Sequence, residues 1–312
     1  MKKALVVMLG LIVLLSGCSS SRRAPSGKAS RTPSGMAAPP GEPAESLALA
    51  GRALADGDWQ ELIRIAESLR GDEQYTRVAT HMLATAHLML ENYNDNLRAA
   101  IALQKMRPKS GELSEFYKGL SSEYPASPHV FLALGDAHVS EGNLRAALQA
   151  FEEGMKLNDR NPQILVSLAV VKRNLGKSDE AMELYQKAIQ IDDRLAHAHV
   201  SLGAAYLAQR KYSDAERVLR RATELRGDYA LAWVNLGLAC RARGSLDQAI
   251  TCYQKSISLV PEHASAYLNL GAAYYYKKDY AGAREAWGKA VELDPDGPTG
   301  ASARRNLARL PR

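Results

Sequence analysis

Residues 230–263 read ALAWVNLGLACRARGSLDQAITCYQKSISLVPEH, and the order of large and small side chains in this stretch decides the fold. With Ala230 as position 1, Trp233, Leu236, Gly237 and Cys240 fall at 4, 7, 8 and 11, one stripe of an α-helix. Ala249, Tyr253, Ser256 and Leu259 fall at 20, 24, 27 and 30 and mark a second helix, with a turn near Gly244 between them. Small residues at 8, 20 and 27 let two backbones approach, and bulky ones at 4, 11 and 24 fill the flanks. Pro261, at position 32, cannot continue a helix and ends the second one.

The same pattern runs five times without insertion, from Pro128, Pro162, Ala196, Ala230 and Ala264. Position 7 is Leu134, Leu168, Leu202, Leu236 and Leu270, and position 8 is Gly135, Ala169, Gly203, Gly237 and Gly271. Position 20 is Ala147, Ala181, Ala215, Ala249 and Ala283, and position 24 is Phe151, Tyr185, Leu219, Tyr253 and Trp287. A fixed period of this length means stacked supersecondary units, whose usual product is a surface for partners rather than a catalytic pocket. Two weaker units precede in phase over 43–110. The unit 77–110 keeps Leu83, Ala84, Tyr93, Ala100 and a closing Pro108, with Asn96 in the place of alanine. The unit 43–76 keeps Leu49, Ala50 and the turn Gly57-Asp58-Trp59, with Leu62 for alanine. Residues 111–127 hold half a unit, Leu113, Phe116, Tyr117 and Leu120 at helical spacing, so one extra helix is expected to bend or divide the array. Five units then fill 128–297, and 298–312 reads as an arginine-bearing capping helix.

The net charge of +6 is no footprint of nucleic acid, because Lys2, Lys3, Arg22, Arg23, Lys28 and Arg31 against Glu42 place +5 of it before residue 43. Residues 1–17 have the build of a secretory signal: Lys2-Lys3, then an apolar run from Ala4 to Leu15 too short to span a bilayer. Leu15-Ser16-Gly17-Cys18 resembles the lipobox of bacterial lipoproteins, which implies cleavage before Cys18, a diacylglycerol on its sulfur and an acyl group on its new N-terminus. Several chains matter, since a single one anchors only marginally. Residues 18–42, rich in Pro, Ser and Arg, read as a disordered tether of roughly 25–30 Å.

These residues carry a resemblance to the tetratricopeptide repeat (TPR) family. Its motif stands here as Trp233, Leu236, Gly237, Ala249, Tyr253 and Pro261, and again as Tyr267, Leu270, Gly271, Tyr274, Ala283, Trp287, Ala290 and Pro295. Lys172 and Cys240, where tyrosine is expected, and His199 at a bulky position depart from it. The resemblance implies an all-α solenoid of helical hairpins, a right-handed superhelix whose first helices line a concave groove. Position 6 of those helices reads Ala133, Ser167, Ser201, Asn235 and Asn269, and an asparagine can both donate to and accept from a peptide bond. Asn235 and Asn269, with Arg173, Arg241, Tyr275 and Tyr276, are therefore the candidate groove residues for a protein or extended peptide. A merely solvated groove wall is the alternative.

No catalytic constellation stands out. His197 and His199 lie two apart and point in different directions on a helix, and no phosphate loop, nucleophile elbow, metal set or cofactor motif is present. Cys240 and Cys252 lie in one unit, at similar distances from the turn near Gly244. In an oxidising compartment they could bridge, and two packed thiols is the other state open to them. The expected function is non-enzymatic: a lipid-anchored, periplasm-facing scaffold or adaptor in envelope-complex assembly. Ser19 behind the lipidated cysteine favours the outer membrane, or the outer leaflet of the cytoplasmic membrane in a cell with only one. Two alternatives share that architecture: a pilotin-like factor for type IV pili or secretins, and an accessory subunit regulating an envelope enzyme such as a peptidoglycan hydrolase.

Overall fold

A computed structural model describes residues 43–106 and 111–311; the signal segment, Cys18, the tether and Pro108 lie outside them. Every regular element among the described residues is an α-helix. The first four are α1 (Pro43–Asp56), α2 (Trp59–Leu69), α3 (Thr76–Met89) and α4 (Tyr93–Lys105), followed by the single α5 (Glu112–Glu123). Five hairpins succeed them: α6 (Pro128–Ser140) with α7 (Leu144–Leu157), α8 (Pro162–Asn174) with α9 (Ser178–Ile191), and α10 (Ala196–Ala208) with α11 (Tyr212–Leu225). The last two are α12 (Ala230–Ala242) with α13 (Leu246–Leu259) and α14 (Ala264–Tyr276) with α15 (Tyr280–Leu293), and α16 (Pro298–Leu307) closes the chain.

One turn serves every hairpin. The residue at position 15 is left-handed in all seven units, at Gly57, Glu91, Gly142, Gly176, Arg210, Gly244 and Lys278. Around it the N–H at position 16 bonds the carbonyl at position 11, as in Asn143 to His138 (2.8 Å) and Ser245 to Cys240 (2.9 Å). The N–H at position 15 bonds position 12, as in Gly244 to Arg241 (3.0 Å), and together these satisfy carbonyls the first helix leaves over. At position 16 the carboxylates of Asp58 and Asp279 and the amide of Asn143 cap the second helix.

The small-against-large reading at positions 8 and 24 has a direct geometric cause. A methyl group on Gly135 would meet Phe151 at 2.2 Å, on Gly203 Leu219 at 2.5 Å, on Gly237 Tyr253 at 2.6 Å and on Gly271 Trp287 at 2.5 Å. The bulky residue of the second helix lies on bare backbone of the first, and Trp287 also donates its indole N–H to the Leu268 carbonyl at 3.0 Å. In the unit 77–110 the polar Asn96 at position 20 is accommodated because its amide donates to the Ala84 carbonyl at 2.8 Å. Leu49, expected in the core at position 7, is instead exposed, whereas Ala50 beside it is buried. Position 7 packs on the preceding unit, as Leu168 does on Ala147 and Phe151, and no described residue precedes α1. Leu157, at position 30, is exposed as well.

The unpaired α5 serves the first part of the chain as core. Leu113, Tyr117 and Leu120 are buried with Leu54, Leu62, Met82, Val130 and Ala137 from α1, α2, α3 and α6. Leu120 covers Gly51, the Glu141 carboxylate accepts from the N–H groups of Leu113 (2.9 Å) and Ser114 (3.2 Å), and Ser127 Oγ donates to the Ala55 carbonyl (2.9 Å). This lobe therefore curls onto α6 instead of extending the stack, and it brings α4 against α12 and the junctions that flank it. At the far end Asp294 caps α16, accepting from Thr299 N–H at 3.0 Å, and α16 lays Ala303 over Trp287 and Ala290.

Candidate partner-binding groove

First helices of adjacent units lie side by side, and the resemblance assigns their face to the concave groove, where positions 9, 12 and 13 form rows. At position 9 stand Asp136, Val170, Ala204, Leu238 and Ala272, and at position 12 stand Val139, Arg173, Leu207, Arg241 and Tyr275. The groove is sealed at one end and open at the other. Every residue of α10 from Ala196 to Leu207 is buried, and Leu88 and Tyr93, from the tip of the α3–α4 hairpin, share one continuous apolar cluster with Val166, Val170, Val200 and Leu207. On α12 the positions Leu238 and Arg241 become half-buried, and on α14 Tyr275 and Tyr276 are 39% and 61% exposed.

The open end is an aromatic and arginine patch. Tyr275 lies 5.9 Å from Tyr276, 5.8 Å from Tyr280 and 5.9 Å from Trp287, measured between ring centroids. The Arg241 guanidinium stands 5.9 Å over the Tyr276 ring, a contact between neighbouring first helices. Arg241 also lies by the buried Tyr253, whose hydroxyl burial pushes up to about 12 against the pull of that positive charge. Arg173 stands in the same relation to Tyr185, two units earlier: burial raises the tyrosine and the arginine opposes it. Each arginine thus stands near the tyrosine at position 24 of its own unit and is half-buried.

The two asparagines at position 6 are placed differently. Asn235 is only 5% exposed, in the packing between first helices, and Asn269 spends its amide on the Ser265 carbonyl of its own helix at 2.8 Å. Ser201 and Ser167 in the same row are buried too, Ser167 donating to Asp136 at 3.4 Å. Position 6 is thus covered by neighbouring helices from Ala133 to Asn235, while Asn269 stays half-buried with its amide nitrogen donating within its own helix. Cys240 and Cys252 are buried and free, with their thiols in contact. That contact holds the Cys240 thiol below its ordinary value, while the same contact and burial push Cys252 far up.

A buried polar cluster that the sequence did not announce joins the curled lobe to the array. His81 Nδ1 lies 3.0 Å from the Tyr117 hydroxyl, and Asp136 sits beside them, its carboxyl pushed up to about 8 by burial. His81 is held down to about 4, also by burial first, so this cluster is neutral near pH 7.

Comparison with known proteins agrees with this architecture. The tetratricopeptide repeat family matches residues 128–161, 161–227 and 264–296, and the TPR repeat family matches 237–277. Among solved structures, MamA is 30% identical over 52% of this chain and 95% of its own, with a TM-score of 0.44. Cut9–Hcn1 of the APC/C hetero-tetramer is 16% identical over 83% of this chain and 48% of its own, with a TM-score of 0.59. The pilF protein of Pseudomonas aeruginosa is 22% identical over 59% of this chain and 91% of its own, with a TM-score of 0.50, a likeness of fold. No curated protein matches the chain.

Proposed function

The chain belongs to the tetratricopeptide repeat family, and from that premise we propose that it is a lipid-anchored envelope scaffold holding a partner at the open end of its groove. The repeats make it a protein–protein interaction scaffold. The observation that carries the site is the exposed pair Tyr275 and Tyr276 with Arg241 over the Tyr276 ring, since tyrosine and arginine are the residues that most often anchor interfaces and isolated monomers seldom leave them clustered in solvent. The partner enters as a protein segment whose apolar side chains lie on the tyrosine rings and whose carbonyl or carboxylate oxygens meet Arg241. The repeat architecture, whose usual product is an interaction surface, supports a non-enzymatic role.

The anchor rests on Leu15-Ser16-Gly17-Cys18 behind an apolar run and Lys2-Lys3, and Ser19 favours the outer membrane. A photo-crosslinking residue at Tyr280 captures a discrete partner from envelope membranes, and Tyr275→Ala with Tyr276→Ala lowers the yield at unchanged melting temperature. Undiminished capture by the folded double variant overturns the groove reading. The mass of the mature N-terminus tests the anchor separately: unmodified Cys18, or membrane retention of Cys18→Ser, overturns it.

A further inference from the structure

Two consecutive junctions between repeat units, residues 226–231 and 259–262, carry one face of α4. Tyr93 is 2% exposed. It stacks on Tyr229 with centroids 4.2 Å apart and planes 20° apart, and lies 5.2 Å from the Arg226 guanidinium. Arg226 in turn pairs with Glu91 at 3.2 Å. Asn94 accepts from the Ala230 N–H at 3.0 Å and donates to the Asp228 carbonyl at 2.6 Å. Ala230 opens α12, whose own cap residue Tyr229 supplies no side-chain acceptor, so an orphan donor of that helix is satisfied from α4. Arg98 reaches the Glu262 carboxylate at 2.9 Å and the carbonyl of Leu259, the last residue of α13, at 3.1 Å, where a cation meets the negative end of a helix. Leu97 is buried between them with Ala230 and Val260.

Residues 93, 94, 97 and 98 form a single face of α4, while Asn96 on another face holds α3. The junctions thus read four features in fixed order: a ring, an amide, an aliphatic chain and a guanidinium. The amide position is selective, because aspartate cannot donate and leucine can do neither. Recognition of anchors on one face of an amphipathic helix is a recurring mode of peptide binding. The polar partners are open to water, Arg98 at 45% and Glu262 at 37% side-chain exposure, and exposed ion pairs hold weakly. What holds α4 is therefore chiefly the buried Tyr93 and Leu97, and its attachment to the same chain adds an effective-concentration advantage over a partner offering the same contacts.

We propose that these junctions are a helix-recognition site that α4 fills in cis. A partner protein enters it as an amphipathic helix bearing an aromatic residue, asparagine, an aliphatic residue and arginine at i, i+1, i+4 and i+5. The site is separate from the Tyr275–Tyr276 patch. The probe is a labelled peptide of residues 88–106 titrated into the full chain. An isolated helix of that length is marginal, so the comparison between variants is what counts. Tyr93→Ala with Arg98→Ala weakens the cis helix and leaves its seat intact, so the peptide binds this variant roughly tenfold tighter than the wild type. Adding Glu262→Lys to the chain abolishes the gain, and Arg98→Glu in the peptide restores it. Equal affinity for wild type and folded variant, or indifference to Glu262→Lys, overturns the proposal. Hydrogen exchange on the wild type gives a second reading that needs no variant: the amides of 97–103 open well before those of α10, and equal protection of the two overturns it. Tyr275→Ala leaves peptide affinity unchanged, which separates this site from the proposed groove.

Discussion

Helices α10 and α14 carry the same Leu-Gly pair at positions 7 and 8 and receive Leu219 and Trp287 on that glycine in the same way. Yet α10 is buried from Ala196 to Leu207, while α14 leaves Tyr275 and Tyr276 in solvent. The residues that make the hairpin therefore do not decide whether its concave side is available. Two other things do. Positions 12 and 13 are Leu207 and Ala208 in one helix and Tyr275 and Tyr276 in the other, and the α3–α4 hairpin lays Tyr93 beside His197 of the first, ring centroids 6.0 Å apart. A repeat protein can thus hold its fold constant along the stack and set the accessibility of a unit by its residues at positions 12 and 13 together with a distant contact.

The contrast breaks most readily at Tyr229. That ring is buried in the continuous core and stacked under Tyr93, so Tyr229→Ala removes a packed aromatic at the sealed end and costs about 3–5 kcal/mol. Tyr276→Ala at the open end removes an exposed ring and stays within about 0.5 kcal/mol. Urea melts of the two variants check this, and comparable losses would mean that the open patch is part of the structural core.

Asp136 makes the sealed side pH-sensitive where its counterparts at position 9 in the open units, Leu238 and Ala272, do not titrate. Its folded carboxyl, near 8, stays protonated where the unfolded one, near 3.8, is ionised. The folded state therefore binds the extra proton, and the stability this site contributes is whole below about pH 4 and is lost as pH rises towards 8. The buried His81, His197 and His263, held near 4, run the other way and lose stability as pH falls below about 6.5, so the window that isolates Asp136 is pH 6.5–8. Across it the stability of Asp136→Asn relative to wild type grows by about 2 kcal/mol, at roughly 1.4 kcal/mol per pH unit. A constant difference across that range would show the carboxyl to be ionised in the folded chain.

The hairpins were legible because Gly237 and Tyr253, or Gly271 and Trp287, meet within one unit, and a contact at short sequence separation leaves a periodic trace. Tyr93, Asn94 and Arg98 left none. Tyr93 fits the repeat pattern of its own unit, and its stacking partner Tyr229 lies far along the chain, so nothing in the local spacing marks it as a docking residue. Helical phase does not say how closely the next helix covers position 6: Asn235 is buried there and Asn269 half-buried. Arg241, Tyr275 and Tyr276 stand at positions 12 and 13 beside the turn, where Val139 and Leu207 of other units are buried, so position alone does not announce exposure.

The turn itself supplies the smallest test. Gly142, Gly176 and Gly244 take the left-handed conformation at position 15 without steric cost, whereas Arg210 and Lys278 take it at φ 59° and 65° with a Cβ in the way. Arg210→Gly and Lys278→Gly should each raise stability by about 0.5–1 kcal/mol, the relief of the left-handed backbone exceeding the greater unfolded entropy of glycine. Arg210 follows the sealed α10 and Lys278 the open α14, and both side chains are exposed. If the turn and the groove are independent, the two gains are equal within error in paired urea melts. A gain at Arg210 alone would show that the rigidity of the sealed end extends to its turn, and that the hairpin at the open end adjusts its backbone to absorb the strain.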